Sequence, residues 1–175
     1  MHTLRRTAAV LIGPAIASLG TACDRLEPPT TAIQASVIPG GGGPGKVTGG
    51  GQIPIFQNGE VVGTATFGFN AKLGEEPDAV ASGHLNYVNH VTGEHLNCKV
   101  TMVGVTPAPD ENTPGTADFS SYTCTPNSSA QDVEVHVVDV NEPGDADQFF
   151  ITINDAEPPE GGTIRSGNIQ VHKTQ

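Results

Sequence analysis

The run Asp139-Val140-Asn141-Glu142-Pro143-Gly144-Asp145-Ala146-Asp147 gathers five side-chain oxygen donors around one turn. Calcium takes about six to eight oxygen ligands, and a tight loop between strands can converge several of them without any helix. Asp139, Asn141, Asp145 and Asp147 are therefore candidate calcium ligands. The run is not an EF-hand, because the DxDxDG order and the closing glutamate are missing. The competing reading is a solvated acidic hairpin whose Asn and Asp side chains cap the turn.

Five histidines follow the N-terminal segment: His84, His90, His95, His136 and His172. His84 and His90 share a parity and would face the same side of a regular strand. His90 and His95 flank Val91-Thr92-Gly93-Glu94, which places them across a hairpin within reach of one zinc or copper ion, with a third ligand from His136, His172 or Glu94. Their spacing is not a specific metal motif. The alternative is a set of polar residues on an outward face.

Catalytic constellations are not evident. Ser82 and His84 are strand neighbours of one parity with no third orienting group. Gly40 to Gly43 has no strand before it or helix after it, so it is not a nucleotide cradle. Glu75-Glu76 sits in a polar, turn-like segment. A glycan platform would need exposed aromatics, yet the chain has no Trp and only Tyr87 and Tyr122. Tyr87 shares a face with Leu85, and Tyr122 lies two residues from Cys124, so both are expected in the core. A non-catalytic protein is expected.

The elements that position these residues are strands. Of 175 residues, 22 are Gly and 14 Pro, which makes long helices improbable. Eight Lys and Arg stand against 19 Asp and Glu, a net charge of -11, so the phosphate-neutralising surface of a nucleic-acid binder is missing. Residues 1–22 read as an export signal, with Arg5 and Arg6 ahead of an apolar stretch from Ala8 to Leu19. Leu19-Gly20-Thr21-Ala22-Cys23 resembles a lipobox, with Gly20 in the place usual for the leucine. Cleavage there would put a lipid on Cys23 and leave six cations against 19 acids, or -13.

Three cysteines in an exported chain leave one over. A lipid on Cys23 accounts for it, and Cys98 and Cys124 are then expected as a disulfide. Residues 23–45, with paired prolines and a glycine run, read as a lipidated cysteine and flexible tether spanning roughly 25 Å. Ile33 to Ile38 could add an edge strand inside it.

From residue 46 to 175, period-two patterning is broken by turn residues, the signature of a single antiparallel β-sandwich or barrel-like domain of about eight strands. These are expected near 47–56, 60–71, 80–91, 95–106, 116–125, 131–140, 147–154 and 163–173. Asn58-Gly59 predicts a type I′ hairpin. Thr106 to Gly115 is the long loop. Phe67, Phe69 and Ala71, then Val133, Val135 and Val137, then Phe149, Ile151 and Ile153, are expected to face the core.

Five segments in order resemble the post-COAP-1 domain of exported bacterial proteins: Gly49-Gly50-Gly51-Gln52-Ile53, Ala65 to Asn70, Gly83 to Val88, Asn141 to Gly144 with Asp147 and Phe149, and Gly161-Gly162-Thr163 with Gly167 to His172. The resemblance implies an extracellular β module without established catalytic activity. The combined expectation is a bacterial cell-envelope lipoprotein, anchored to the membrane through its lipid or else secreted. It would act as an interaction or structural module toward a protein or glycan partner, with metal binding or glycan binding as the alternatives.

Overall fold

Alternation of apolar and polar side chains builds eleven strands in two antiparallel sheets, seen in a computed structural model that describes residues 42–125, 132–140, 144 and 146–172. The expected signal peptide, Cys23 and the strand at 33–38 lie outside the described residues. The strands are β1 (Gly45–Gln57), β2 (Glu60–Leu73), β3 (Ser82–Asn89), β4 (His95–Lys99), β5 (Met102–Thr106), β6 (Gly115–Ser121), β7 (Cys124–Thr125), β8 (Val133–Asp139), β9 (Gln148–Ile153), β10 (Glu160–Thr163) and β11 (Ser166–His172). One sheet runs β11-β1-β2-β3-β4-β7 and the other β10-β9-β8-β6-β5. The fold is an all-β sandwich.

Eleven strands replace about eight because three expected strands each divide between the sheets. The segment 95–106 breaks at Val100 and Thr101, 116–125 at Tyr122 and Thr123, and 163–173 at Ile164 and Arg165, which leaves Thr163 as the end of β10. Strands that turn a corner from one sheet to the other are a standard way to join the layers of a sandwich. The corners pass backbone donors between sheets: Val100 N–H donates to Gly83 O at 3.0 Å in the first sheet, and Thr101 N–H to Ser120 O at 2.9 Å in the second. Ile164 N–H likewise reaches Asp147 O at 2.9 Å, and Arg165 N–H reaches Gln52 O at 2.7 Å. All four backbone donors at these two bends are therefore paired.

The core lies between the layers. Phe67 and Phe69 from β2 meet Phe149 and Phe119 from the opposite sheet, with ring centroids 4.0 Å apart for Phe67 and Phe149 and 5.0 Å for Phe69 and Phe119. Val133, Val135, Val137 and Ile151 are buried as their parity requires, and Ile153 is partly buried against the cluster. Each such side chain contributes about 1.5–3 kcal/mol of transfer free energy. Tyr87 is fully buried, but Tyr122 is 45% exposed. The expectation that Tyr122 is core fails because it occupies the corner between β6 and β7, where the chain leaves one sheet and side-chain parity no longer holds.

Asn58 and Gly59 close the β1–β2 hairpin with φ of 52° and 81°, the positive pair a type I′ turn needs. The glycine run expected to be tether is packed at its end. Gly43 exchanges backbone hydrogen bonds with Val105 at 2.9 and 3.1 Å, and β1 already begins at Gly45. A side chain on Gly42 would collide with the Gly104–Val105 backbone, so glycine there permits the close approach that covers part of the β5 edge.

Cys98 and Cys124 form a disulfide, as expected. They are directly paired residues of β4 and β7, with Cα atoms 4.0 Å apart, and the bridge pins the two-residue strand β7 to the sheet.

Candidate functional site

The acidic run connects β8 to β9, and Asp139 and Asp147 from its two ends reach the outer edge of β11. Asp139 Oδ2 accepts the backbone N–H of Val171 at 2.8 Å, and Asp147 Oδ2 accepts that of Ile169 at 2.8 Å. Asp147 Oδ1 also accepts the N–H of Val140 at 3.0 Å, and the Asp147 side chain is fully buried. Ile169 and Val171 alternate along β11, so their N–H groups leave the strand on the side away from β1. The two carboxylates take the place of a neighbouring strand's carbonyls. Asn141 and Asp145, the other candidate calcium ligands, lie outside the described residues.

The histidines are not gathered. His95 pairs with Val88 in the β3–β4 register, and His90 lies beyond the end of β3. The His90 ring hydrogen-bonds Thr66 Oγ1 of β2 at 3.2 Å, whereas His95 sits on β4, the opposite neighbour of β3. His84 is outward-facing between Asn70 and Lys99, and His172 hydrogen-bonds Thr48 Oγ1 at 3.3 Å. His136 is on the other sheet, with Nδ1 2.7 Å from Asp118 Oδ1. Among the described residues no three His, Cys, Asp or Glu side chains are grouped as a metal site.

A buried polar cluster was not anticipated from the sequence. Tyr87 O–H donates to Glu160 Oε2, and Asn89 Nδ2 donates to both Glu160 oxygens at 3.2 and 3.1 Å. Asn89 Oδ1 in turn accepts the N–H groups of Val91 at 2.9 Å and Thr92 at 3.1 Å. Burial, then the bond to Glu160, pushes the Tyr87 phenol far above its ordinary range, so it stays a donor. Burial, then the charge of Glu160, also raises Glu94. The cluster braces β3 in one sheet to β10 in the other. Its only sequence trace is the presence of Asn89 at an inward position.

The outer faces of the two sheets differ in charge. On the five-stranded sheet, Asp118, His136 and Phe150 lie in one cross-strand row and Glu134 in the next. Burial, followed by the charges of Asp132, Asp155 and Asp118, raises Glu134 above the usual carboxylate range. That face is acidic.

The six-stranded sheet is the opposite. Its register stacks four outward rows. The first is His172, Lys46, Lys72 and Ser82. The second is Gln170, Thr48, Asn70, His84 and Lys99. Asn168, Gly50, Gly68, Asn86, Asn97 and Thr125 form the third. Ser166, Gln52, Thr66, Val88 and His95 form the fourth. None of these positions is Asp or Glu, in a chain with 19 acids. Of the four described Lys and Arg residues, Lys46, Lys72 and Lys99 are here, and only Arg165 is elsewhere, at a corner. Their alignment comes from strand register, since the three lysines are far apart along the chain.

No family model, no curated protein and no solved structure matches the chain.

Proposed function

We propose that the β domain is a non-catalytic interaction module of the bacterial cell envelope, held at the membrane by a lipid on Cys23, with the outer face of the six-stranded sheet as its contact surface. The observation that carries this reading is the segregation of charge. An acidic chain with three lysines and no carboxylate in four outward rows of one sheet face presents a surface complementary to an anionic partner, while its other face is acidic. The surface is polar and rigid, built on strands instead of loops, so binding would order little of the protein.

The test is co-sedimentation of the full chain carrying Cys23→Ala, which removes the lipid, with isolated cell-envelope material. Reversal of charge at Lys46, Lys72 and Lys99 to Glu abolishes binding on this reading. Reversal of Glu75, Glu76 and Asp78 to Lys, in the β2–β3 loop, leaves it in place. Labelled palmitate incorporated into the chain but not into its Cys23→Ala variant would support the anchor, and equal labelling would remove it.

A further inference from the structure

We infer that this face binds a linear acidic polysaccharide laid across the strands, in a trough over Gly50 and Gly68. The inference rests on the contact-surface reading above and names its ligand class. The trough floor is the third row, from Gly50 on β1 to Thr125 on β7, roughly 19 Å across four inter-strand steps. Gly50 and Gly68 lie side by side in it. A side chain on Gly68 would meet nothing within 4 Å, and one on Gly50 nothing nearer than 3.5 Å, so the depression is open and no neighbour fills it. The second and fourth rows form its walls, roughly 13 Å apart along the strands.

The chemistry of the walls and floor selects the ligand. Ten of the 16 positions in the second, third and fourth rows are amide or hydroxyl side chains and one is Lys99, with Lys46 and Lys72 in the row beyond the Lys99 wall. Amides and hydroxyls both donate and accept, which matches the hydroxyls of a sugar ring. A few lysines among many amides suit a polymer rich in hydroxyls with spaced carboxylates. Nucleic acid fits less well, because three lysines spread over four rows neutralise few of its closely spaced phosphates. A lipid surface fits less well too, since the one large apolar residue here, Val88, is half-buried.

The experiment measures binding of the full chain, in mild detergent, to polygalacturonate and to its methyl-esterified form by affinity electrophoresis at low and high salt. The acidic polymer is expected to bind, with the ester about tenfold weaker or worse and binding reduced by salt. Gly68→Leu fills the trough and is expected to lose about tenfold in affinity with an unchanged melting temperature. Asn97→Glu, an exposed position on β4, is the second variant and should weaken binding even if Gly68→Leu fails to fold. Unchanged affinity in Asn97→Glu, equal binding of single-stranded DNA, or equal binding of phosphatidylglycerol vesicles by the Cys23→Ala chain without detergent, would overturn the inference. If no acidic polysaccharide binds while lysine reversal still abolishes envelope binding, the ligand class is wrong and the contact surface stands. If lysine reversal has no effect on envelope binding, the contact surface falls as well.

Discussion

Asp147 Oδ2 accepts the backbone N–H of Ile169 at 2.8 Å, 22 residues away, at the outer edge of β11. An edge strand presents a row of unpaired donors, and natural sheets cover or blunt such edges. Here the cover is a pair of carboxylates from the turn that follows β8, Asp139 on Val171 and Asp147 on Ile169. Because Asp147 also holds Val140, removing one acceptor disturbs both ends of the arrangement. Asp147→Asn turns an amide N–H₂ toward a backbone N–H, leaves a buried donor without an acceptor and should cost about 1–3 kcal/mol. Hydrogen exchange at Ile169 would accelerate together with the loss in denaturation midpoint. An Asp147→Asn protein as stable as wild type would show that the carboxylate does not hold the edge.

Tyr87→Phe keeps the ring in the core and deletes the O–H bond to Glu160. Glu160 Oε2 then has Asn89 as its remaining partner in the cluster. Hydrogen bonds to charged groups contribute about 1.5–3 kcal/mol, so urea denaturation should show a loss in that range. A loss below the measurement error would mean the brace between β3 and β10 is not under tension from this bond.

Replacing Cys98 and Cys124 together by Ala removes a bridge that closes a separation of 26 residues. The expected cost is roughly 3 kcal/mol from the freed unfolded chain. Intact-mass measurement with and without reductant first verifies that the wild-type pair is oxidised. Equal thermal stability of oxidised and reduced wild type would contradict the prediction.

Glu134 is raised above its ordinary value of 4.5 by burial and by Asp132, Asp155 and Asp118. In the window just above 4.5 the folded chain therefore holds more protons at this site than the unfolded chain. Stability from this group rises as the pH falls through its folded pKa and is lost as the pH increases past it. Glu134→Gln should modestly raise the melting temperature at neutral pH, with the gain fading as the pH drops to 4.5. The site is largely solvated, which keeps the effect small. A gain that persists undiminished in acid would assign it to something other than ionisation.

Much of the architecture is legible in the order of the residues. Alternation at Phe67, Phe69 and Ala71 and at Val133, Val135 and Val137 marked buried faces, because a strand's side-chain period is two whatever it pairs with. Asn58-Gly59 marked its hairpin because few residue pairs accept two positive φ angles. The corners left a trace that simple strand spotting passes over: buried positions run Leu96, Cys98, Val100 and then Val103, Val105, a slip of parity where the chain changes sheets. Phe119 and Cys124 show the same slip.

By itself, then, the sequence determined the all-β class, the faces that seek burial and the cysteine pair, since these follow from local period and composition. It is the packing of the strands that puts Lys46, Lys72 and Lys99 among four outward rows without a carboxylate, turns His90 toward β2 while His95 lies on β4, and sets Asp147 at the edge of β11. Those outcomes depend on strand order and register, which are set by how all the strands pack together. Alternation says which side of a strand is wet, and it carries no information about which other strand will share that side.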